Sequence, residues 1–202
     1  MRSWLAAVLF AAAVPAAAQT VEIVPFGGYR FGGSFDVVDG GRVVEVKEAA
    51  SVGASLSVSV AEDGEIEVLF ARQATRLASD ALFTSTPLFD LVVETWQLGG
   101  NYLLRDAEDR LRPYIGAGLG ITRLVPEPSD LESETRFSAS FAAGVKVQLA
   151  RHFGLRFEAR GFFTVLESDS RVFCDSFHGC LVQTSNSELS QGEVRGGFVF
   201  RF

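Results

Sequence analysis

The chain reads SVGASLSVSV from residue 51 to residue 60, and every second residue of this stretch is apolar while the others are Ser or Gly. The apolar positions are Val52, Ala54, Leu56, Val58 and Val60. Because successive side chains of a β-strand point to opposite faces, the alternation predicts a strand with one apolar face and one face of small polar residues. We expect the apolar face to contact lipid and the small polar face to line a narrow interior.

The same alternation recurs along the chain, separated by polar or glycine-rich breaks. It predicts strands at residues 21–35, 51–60, 65–76, 91–104, 112–124, 135–150, 154–166 and 188–202. Breaks after the second, fourth and sixth strands are short, whereas the longer ones lie at residues 36–50, 77–90, 125–134 and 167–187. Outer-membrane barrels have an even number of strands, short periplasmic turns and long extracellular loops. We therefore predict an all-β fold, an eight-stranded antiparallel up-and-down transmembrane β-barrel with both termini periplasmic.

A soluble β-sandwich or a lipocalin-like soluble barrel is the alternative fold. Its strands would also alternate, but their outer face would be solvated and charged. Here the face opposite the apolar one carries mostly Ser and Gly, with too few charges for a surface that faces water. No segment after residue 18 could span a bilayer as a helix, and helices and closed barrels are the only structures that satisfy their backbone polar groups in hydrocarbon. A membrane barrel is therefore favoured.

The N-terminus has the pattern of a secretory signal peptide. A basic start at Arg2 is followed by an apolar run over residues 4–18, and Ala16, Ala17 and Ala18 precede Gln19 as in a cleavage site. We predict that residues 1–18 are cleaved and that residues 19–202 form the barrel domain. A membrane-anchoring helix is the alternative, but the run is shorter than the roughly 20 residues that a span needs.

The C-terminus carries three aromatic residues on one predicted face. The last five residues read FVFRF, and Phe198, Phe200 and Phe202 share the outward register. This pattern resembles the signal by which the outer-membrane assembly machinery recognises its substrates. Together with the opening strand PFGGYRFGG at residues 25–33, it makes the chain after residue 18 resemble the small porin-like outer-membrane β-barrel family, similar to the OmpA transmembrane domain and OmpX.

The resemblance implies a location in the bacterial outer membrane. The implied partners are outer-membrane lipid, lipopolysaccharide and the assembly machinery, and we expect a monomer. We expect no periplasmic domain after the barrel, so the resemblance does not extend to peptidoglycan binding. Nucleic acid is not expected as a partner, because the net charge is −7 and the chain has only two lysines, whereas phosphate binding needs clustered basic residues.

The inward register of the predicted strands carries ten charged side chains. They are Glu22, Arg30, Glu67, Lys146, Arg156, Glu158, Arg160, Glu193, Arg195 and Arg201. An eight-stranded barrel has an interior just wide enough for side chains to fill. Because isolated charges would be costly there, we predict that these residues pair across strands into a network that plugs the lumen. A selective path for ions is the alternative.

Two charged residues interrupt the outward, lipid-facing register. Arg72 and Glu94 lie near the loop ends of the third and fourth predicted strands. If the hairpin between these strands is centred near Phe83, the two positions face each other. We predict an ion pair at this point, above the hydrocarbon band, on strands that project beyond the membrane.

The two cysteines, Cys174 and Cys180, lie close together in the last long loop. Outside the reducing cytoplasm they are expected to form a disulfide, with free thiols as the alternative. They cannot complete a tetrahedral zinc site with His178, because His178 would be only a third ligand.

The sequence carries little that indicates catalysis. His152 and His178 are the only histidines, and neither lies in a rigid setting beside a nucleophile, as a hydrolase would require. We predict a non-enzymatic barrel without a cofactor, with a structural or surface-interaction role in adhesion or membrane integrity. The alternatives are a narrow channel for ions or small solutes and a lipid A-modifying enzyme. The sequence does not identify an extracellular ligand.

Overall fold

The computed structural model describes residues 20–36, 43–81, 84–105, 109–127, 133–165, 171–175, 179–183 and 188–202. The predicted signal peptide lies outside this part of the chain. No helix within the described ranges is long and apolar enough to cross a bilayer.

Twelve strands are formed by the described residues. They are β1 (Val21–Phe31), β2 (Ser34–Asp36), β3 (Val43–Val46), β4 (Ala49–Ser59), β5 (Gly64–Ala81), β6 (Thr84–Leu103), β7 (Leu111–Pro126), β8 (Glu134–Ala150), β9 (Phe153–Val165), β10 (Arg171–Asp175), β11 (Gly179–Gln183) and β12 (Glu188–Arg201).

Eight of these strands close into a barrel. The order β5-β4-β1-β12-β9-β8-β7-β6 is antiparallel throughout, and β6 pairs back onto β5. The first and last strands meet along their length, so that Ile23 faces Phe200 and Arg30 faces Glu193. The predicted eight-stranded antiparallel barrel is confirmed, and a closed barrel leaves no strand edge unpaired.

The apolar residues of the wall point outward, as predicted. On β4 the Ser55 and Ser57 side chains are buried, whereas Leu56 between them is 43% exposed. Phe141 on β8 and Phe200 on β12 are 65% and 40% exposed. A water-soluble sandwich would bury such side chains against one another, so the soluble alternative is wrong for this chain.

The two ends of the barrel differ. The short turns after β4, β6 and β8 lie at one end, together with the start of β1 and the end of the chain, where the backbone N–H of Val21 bonds the carbonyl of Phe202 at 3.2 Å. We call this the turn end. The long connections lie at the other end, which we call the hairpin end.

At the hairpin end the strands extend further than predicted. Residues 77–90 were expected to form a loop, but β5 and β6 continue through them as a paired hairpin up to Ala81 and Thr84. The short strand β3 also pairs with β5 there, and it pairs with β2 in turn. The predicted loops at 36–50 and 77–90 are therefore wrong in part, because the main-chain pairing of β5 continues beyond the barrel wall.

A β-bulge lies where a proline interrupts this hairpin. Leu77 pairs with Phe89 and Ala78 pairs with Pro87, so that Leu88 has no direct partner on β5. Proline has no N–H to donate to a ladder, and strands accommodate it at such irregularities. The bulge lets the extended hairpin include Pro87.

Candidate functional site: the filled interior of the barrel

The inward-facing side chains at the turn end form a first ion-paired cluster. Lys146 Nζ lies 2.5 Å from Glu22 Oε2 and 2.6 Å from Glu65 Oε2. Arg201 Nη2 contacts the other oxygen of Glu22 at 2.7 Å, and its Nη1 donates to Gln148. The Glu22, Glu65 and Lys146 side chains are almost fully buried. One lysine is thus shared by two carboxylates from β1 and β5.

A second cluster fills the middle of the barrel. Arg160 lies 2.7 Å from both Glu67 and Glu158, and Arg156 contacts the same two carboxylates, with Nη1 lying 2.5 Å from Glu67 Oε2. Arg195 Nη2 contacts Glu158 Oε1 at 2.5 Å. Each carboxylate therefore binds at least two guanidinium groups, and Glu158 binds three. Charge-assisted hydrogen bonds of this kind are among the strongest in proteins.

Tyr114 completes the middle cluster. Its hydroxyl accepts a hydrogen bond from Arg156 Nε at 2.6 Å and donates to Glu158 Oε2 at 2.5 Å. Tyr114 is 1% exposed, and the Arg156 guanidinium lies over its ring, with Cζ of Arg156 4.8 Å from the ring centroid. A phenol can donate and accept at once, so Tyr114 links the cation and the anion without adding charge.

A third cluster lies above the second, toward the hairpin end. Arg30 Nε lies 2.7 Å from Glu193 Oε2, and Arg195 Nη1 lies 3.6 Å from the other oxygen of Glu193. Arg30 stacks on Phe162 and Arg195 on Phe26, each 4.2 Å from the ring centroid. Such cation–π contacts allow apolar rings to share the interior with charges.

Near the hairpin end the interior becomes apolar. Six buried residues from β3, β5, β6, β7 and β12 form one hydrophobic cluster, with Phe89 packed against it. We call this cluster the apolar cap: Val46, Leu77, Leu91, Val93, Leu124 and Leu189. None of the six is more than 3% exposed. The filling of the interior is therefore mainly charged in the barrel, and near the hairpin end it consists of the apolar cap beside neutral polar side chains such as Gln73 and Thr75.

The structure brings the ten sequence-predicted interior charges into these three clusters. Nine of the ten are buried, and Arg201 at the turn end is half-buried. The network also contains Glu65 and Tyr114, which were not among the predicted residues. Arg112 is buried as well, and its Nη2 donates to the carbonyl of Glu62 at 3.4 Å. Glu65 lies two residues from the inward Glu67, and Tyr114 lies next to the outward Ile115. Because alternate residues of a strand face the same side, strand register alone predicts that both side chains point inward.

The outward pair Arg72–Glu94 forms as predicted. The two residues are direct partners of β5 and β6, and Arg72 Nε lies 3.8 Å from Glu94 Oε1. The predicted centre of the hairpin near Phe83 agrees with the pairing of Ala81 with Thr84. The position of the pair above the hydrocarbon band stays a prediction.

Removing this exposed pair is expected to change stability little. We predict that Glu94→Gln lowers the free energy of unfolding by less than about 1 kcal/mol, because exposed ion pairs gain little over hydrated charges. Urea unfolding of the barrel in detergent micelles, followed by circular dichroism, measures the change. A loss of several kcal/mol would show that the pair is a structural element of the wall.

The remaining predicted residues lie outside the interior. Phe198, Phe200 and Phe202 are all exposed, and Phe153 contacts the first two rings with centroid distances of 5.9 and 5.8 Å. The histidine at 152 lies in the exposed turn after β8, where its Nδ1 is 3.0 Å from the carbonyl of Arg201.

The cysteines and the second histidine have no described side chains. The backbone of Cys174 lies opposite that of Cys180 in the small β10–β11 hairpin. Their side chains and the whole of His178 lie outside the described residues, so the disulfide stays a prediction. Among the residues that the structure describes, no group of His, Cys, Asp and Glu is arranged to hold a metal ion.

Comparison with known proteins agrees with this architecture. A family model described as "Outer membrane protein beta-barrel domain" matches residues 4–202. The outer membrane protein OprG from Pseudomonas aeruginosa has a similar structure, with a TM-score of 0.65 and 12% identity over 92% of this chain and 96% of that one. Curated proteins give no match.

Two further solved structures show the same fold. The outer membrane protein AlkL, determined by solid-state NMR in lipid bilayers, has a TM-score of 0.61 and 15% identity over 91% of this chain and 90% of that one. Neisserial surface protein A has a TM-score of 0.59 and 14% identity over 91% and 97%. At these identities the likeness shows the fold alone. The family match over nearly the whole length shows that the chain belongs to the outer membrane protein β-barrel domain family of the bacterial outer membrane.

Proposed function

We propose that this protein is a non-conducting outer-membrane barrel whose role, in adhesion or membrane integrity, is carried by the surface at its hairpin end. The observation that carries the proposal is the double filling of the interior, three ion-paired clusters closed by an apolar cap. A barrel with its lumen filled in this way holds the protein in the membrane and does not conduct ions or solutes.

The charged clusters oppose ion flow because their charges are already paired with one another. Every interior carboxylate described above contacts at least one buried cation at 2.7 Å or less. An ion entering the lumen would have to break such pairs, and breaking a buried pair costs about 3–5 kcal/mol. The network therefore acts as a plug.

The apolar cap opposes ion flow for a different reason. Leu77, Leu91 and Leu124 are fully buried, and Leu189 is 1% exposed. An ion passing through this layer would lose its hydration shell, which is a costly transfer in proteins. The polar side chains beside the cap, Gln73 and Thr75, are already hydrogen bonded to backbone carbonyls. The cap and the network thus close the lumen by independent mechanisms.

The proposed orientation places the turn end in the periplasm. The short turns, the start of β1 and the end of β12 lie there, and the short turns of outer-membrane barrels are periplasmic. Strands β5 and β6 have 18 and 20 residues, whereas a tilted strand needs only about 9–11 to cross the membrane. The surplus would project outward from the cell and carry the surface for contact with a partner.

Conductance tests the proposal. In planar lipid bilayers we expect the native barrel to show no steady single-channel openings, because both fillings block the lumen. The variants Arg156→Ala, in the middle cluster, and Arg151→Ala, in the exposed turn, are the matched pair. Steady openings of the native protein that Arg156→Ala alters and Arg151→Ala does not would establish the channel instead.

The non-enzymatic part of the proposal has a separate test. We expect lipid A extracted from cells that express the protein to have the same mass distribution as lipid A from cells with an empty vector. The physical reason is that the interior carboxylates are held in ion pairs and His152 lies in an exposed turn. Gain or loss of an acyl chain, abolished by His178→Ala, would identify a lipid A-modifying enzyme.

A further inference from the structure

Three cationic side chains are neighbours in one row of the inner wall. Arg112 on β7 is the direct cross-strand partner of Lys146 on β8, and Lys146 is in turn the partner of Arg156 on β9. All three residues are buried. Like charges directly opposite each other on a sheet repel, so a row of this kind is stable only with anions close by.

Arg112 differs from the other two members of the row in its partners. Lys146 and Arg156 each contact two buried carboxylates. Within the described ranges, the one hydrogen bond of the Arg112 side chain goes from Nη2 to the carbonyl oxygen of Glu62, and its Nε has no partner. Of the buried arginines and lysines that the structure describes, Arg112 alone forms no ion pair with a carboxylate.

The positive charge of Arg112 is permanent, because a guanidinium does not lose its proton in proteins. In the turn-end part of the interior, Arg112, Lys146 and Arg201 are accompanied by two carboxylates, Glu22 and Glu65. These five described side chains therefore have a formal charge of +1. A buried charge without a partner is strongly destabilising, so an anion that reaches Arg112 would stabilise the folded barrel.

A small cavity lies beside Arg112 at the turn end. Four of the residues that line it are cationic, namely Arg112, Lys146, Arg151 and Arg201. Gln148 and apolar residues form the rest of the described lining, which contains no carboxylate. The cavity has room for about one group of the size of a water molecule. A buried guanidinium with an unpartnered Nε thus contributes to the wall of a cavity that suits a single small anion.

We propose that this cavity binds one chloride ion, with Arg112 as its main ligand and with Lys146 and Arg201 as the neighbouring cations. A chloride ion accepts the hydrogen bond that Arg112 Nε lacks, and it also balances the formal charge of +1. A water molecule would accept the hydrogen bond but leave the charge unbalanced. The site goes beyond the proposed function, because it depends neither on the orientation of the barrel nor on the role of the hairpin end.

Urea unfolding in two sodium salts tests the proposal. The barrel is unfolded in micelles of a nonionic detergent at constant ionic strength, while chloride replaces gluconate, an organic anion that is too large for the cavity. A ligand that binds only the folded protein lowers the unfolding constant by the factor 1 + [L]/Kd. We expect a decrease of about tenfold on full replacement at about 0.2 M salt, as for a site with a Kd of about 20 mM. The dependence should approach one chloride ion released per barrel unfolded.

Arg112→Gln should abolish the chloride dependence, and it should fold because it relieves the repulsion of Lys146. Arg110→Gln, the same change at an exposed arginine of the turn end, is the matched control and should keep the tenfold effect. Equal unfolding constants of the native barrel in the two salts overturn the proposal, since water alone would then satisfy Arg112. A chloride effect that persists in Arg112→Gln overturns it as well, because the effect would then arise from salt in general. Neither result bears on conductance, so the proposed function is judged separately.

Discussion

Replacing Glu158 with Gln is expected to lower the free energy of unfolding of the barrel by about 3–5 kcal/mol, the cost of breaking a buried ion pair from one side. Glu158 is fully buried and contacts Arg156, Arg160 and Arg195. Gln preserves the shape and one acceptor oxygen but removes the charge that the three guanidinium groups share. The loss of stability therefore measures the cost of leaving the three guanidinium groups buried without this carboxylate.

The control for this experiment is Glu94→Gln, the same chemical change at an exposed ion pair of the outer wall. Both variants are unfolded in urea under the same detergent conditions. Similar losses for the two variants would contradict the account, because the interior network would then contribute no more than a surface pair.

The second large effect is expected in the apolar cap. Leu91→Ala should destabilise the barrel by about 2–5 kcal/mol, because truncating a buried leucine removes its burial energy and leaves a cavity. The side chain of Leu91 is fully buried and packs in the cluster that contains Leu77 and Leu124. Urea unfolding measures this change as well.

Leu104→Ala is the matched control for the cap. Leu104 lies just beyond the end of β6 at the turn end and is 55% exposed. Its truncation is expected to cost less than about 1 kcal/mol, as for surface substitutions away from special features. Equal losses at positions 91 and 104 would indicate that the cap is not a packed layer.

The inward and outward positions of each strand could be predicted from the sequence because the two sides of the barrel wall have different surroundings, lipid outside and packed polar side chains inside. The alternation of Val52 and Leu56 with Ser55 and Ser57 appears in the structure as exposed and buried positions. The alternation of inward and outward side chains is a property of a single strand, so it can be predicted without knowing which strands are its neighbours. The eight barrel strands follow from it, with boundaries shifted by up to four residues in six of them and with longer extensions of β5 and β6 at the hairpin end.

Interior contacts were harder to infer, since they depend on the height at which strands meet. Lys146 and Glu65 are distant in sequence, and only the closure of the barrel brings them together. Parity did mark Glu65 and Tyr114 as inward. Formal charge alone would not identify Tyr114, whose hydroxyl joins Arg156 to Glu158.

The apolar cap could not be inferred from alternation alone. Leu91, Val92 and Val93 are consecutive apolar residues, so the period-two pattern disappears where both sides of the wall become apolar. The extension of β5 and β6 through residues 77–90 was not predicted for a related reason. Main-chain hydrogen bonds set the pairing of the two strands there, and such bonds leave little signal in the sequence.

Nitroxide scanning of β4 tests the central claim most directly. Single spin labels are placed at Val52, Leu56, Ser55 and Ser57 in a Cys174→Ala/Cys180→Ala background folded into lipid vesicles, and collisions with oxygen and with a water-soluble nickel complex are measured. We predict strong oxygen contact at 52 and 56, and little contact with either reagent at 55 and 57. Nickel contact at 55 and 57 would reveal an open aqueous lumen, and nickel contact at 52 and 56 would show that the apolar face does not lie in lipid.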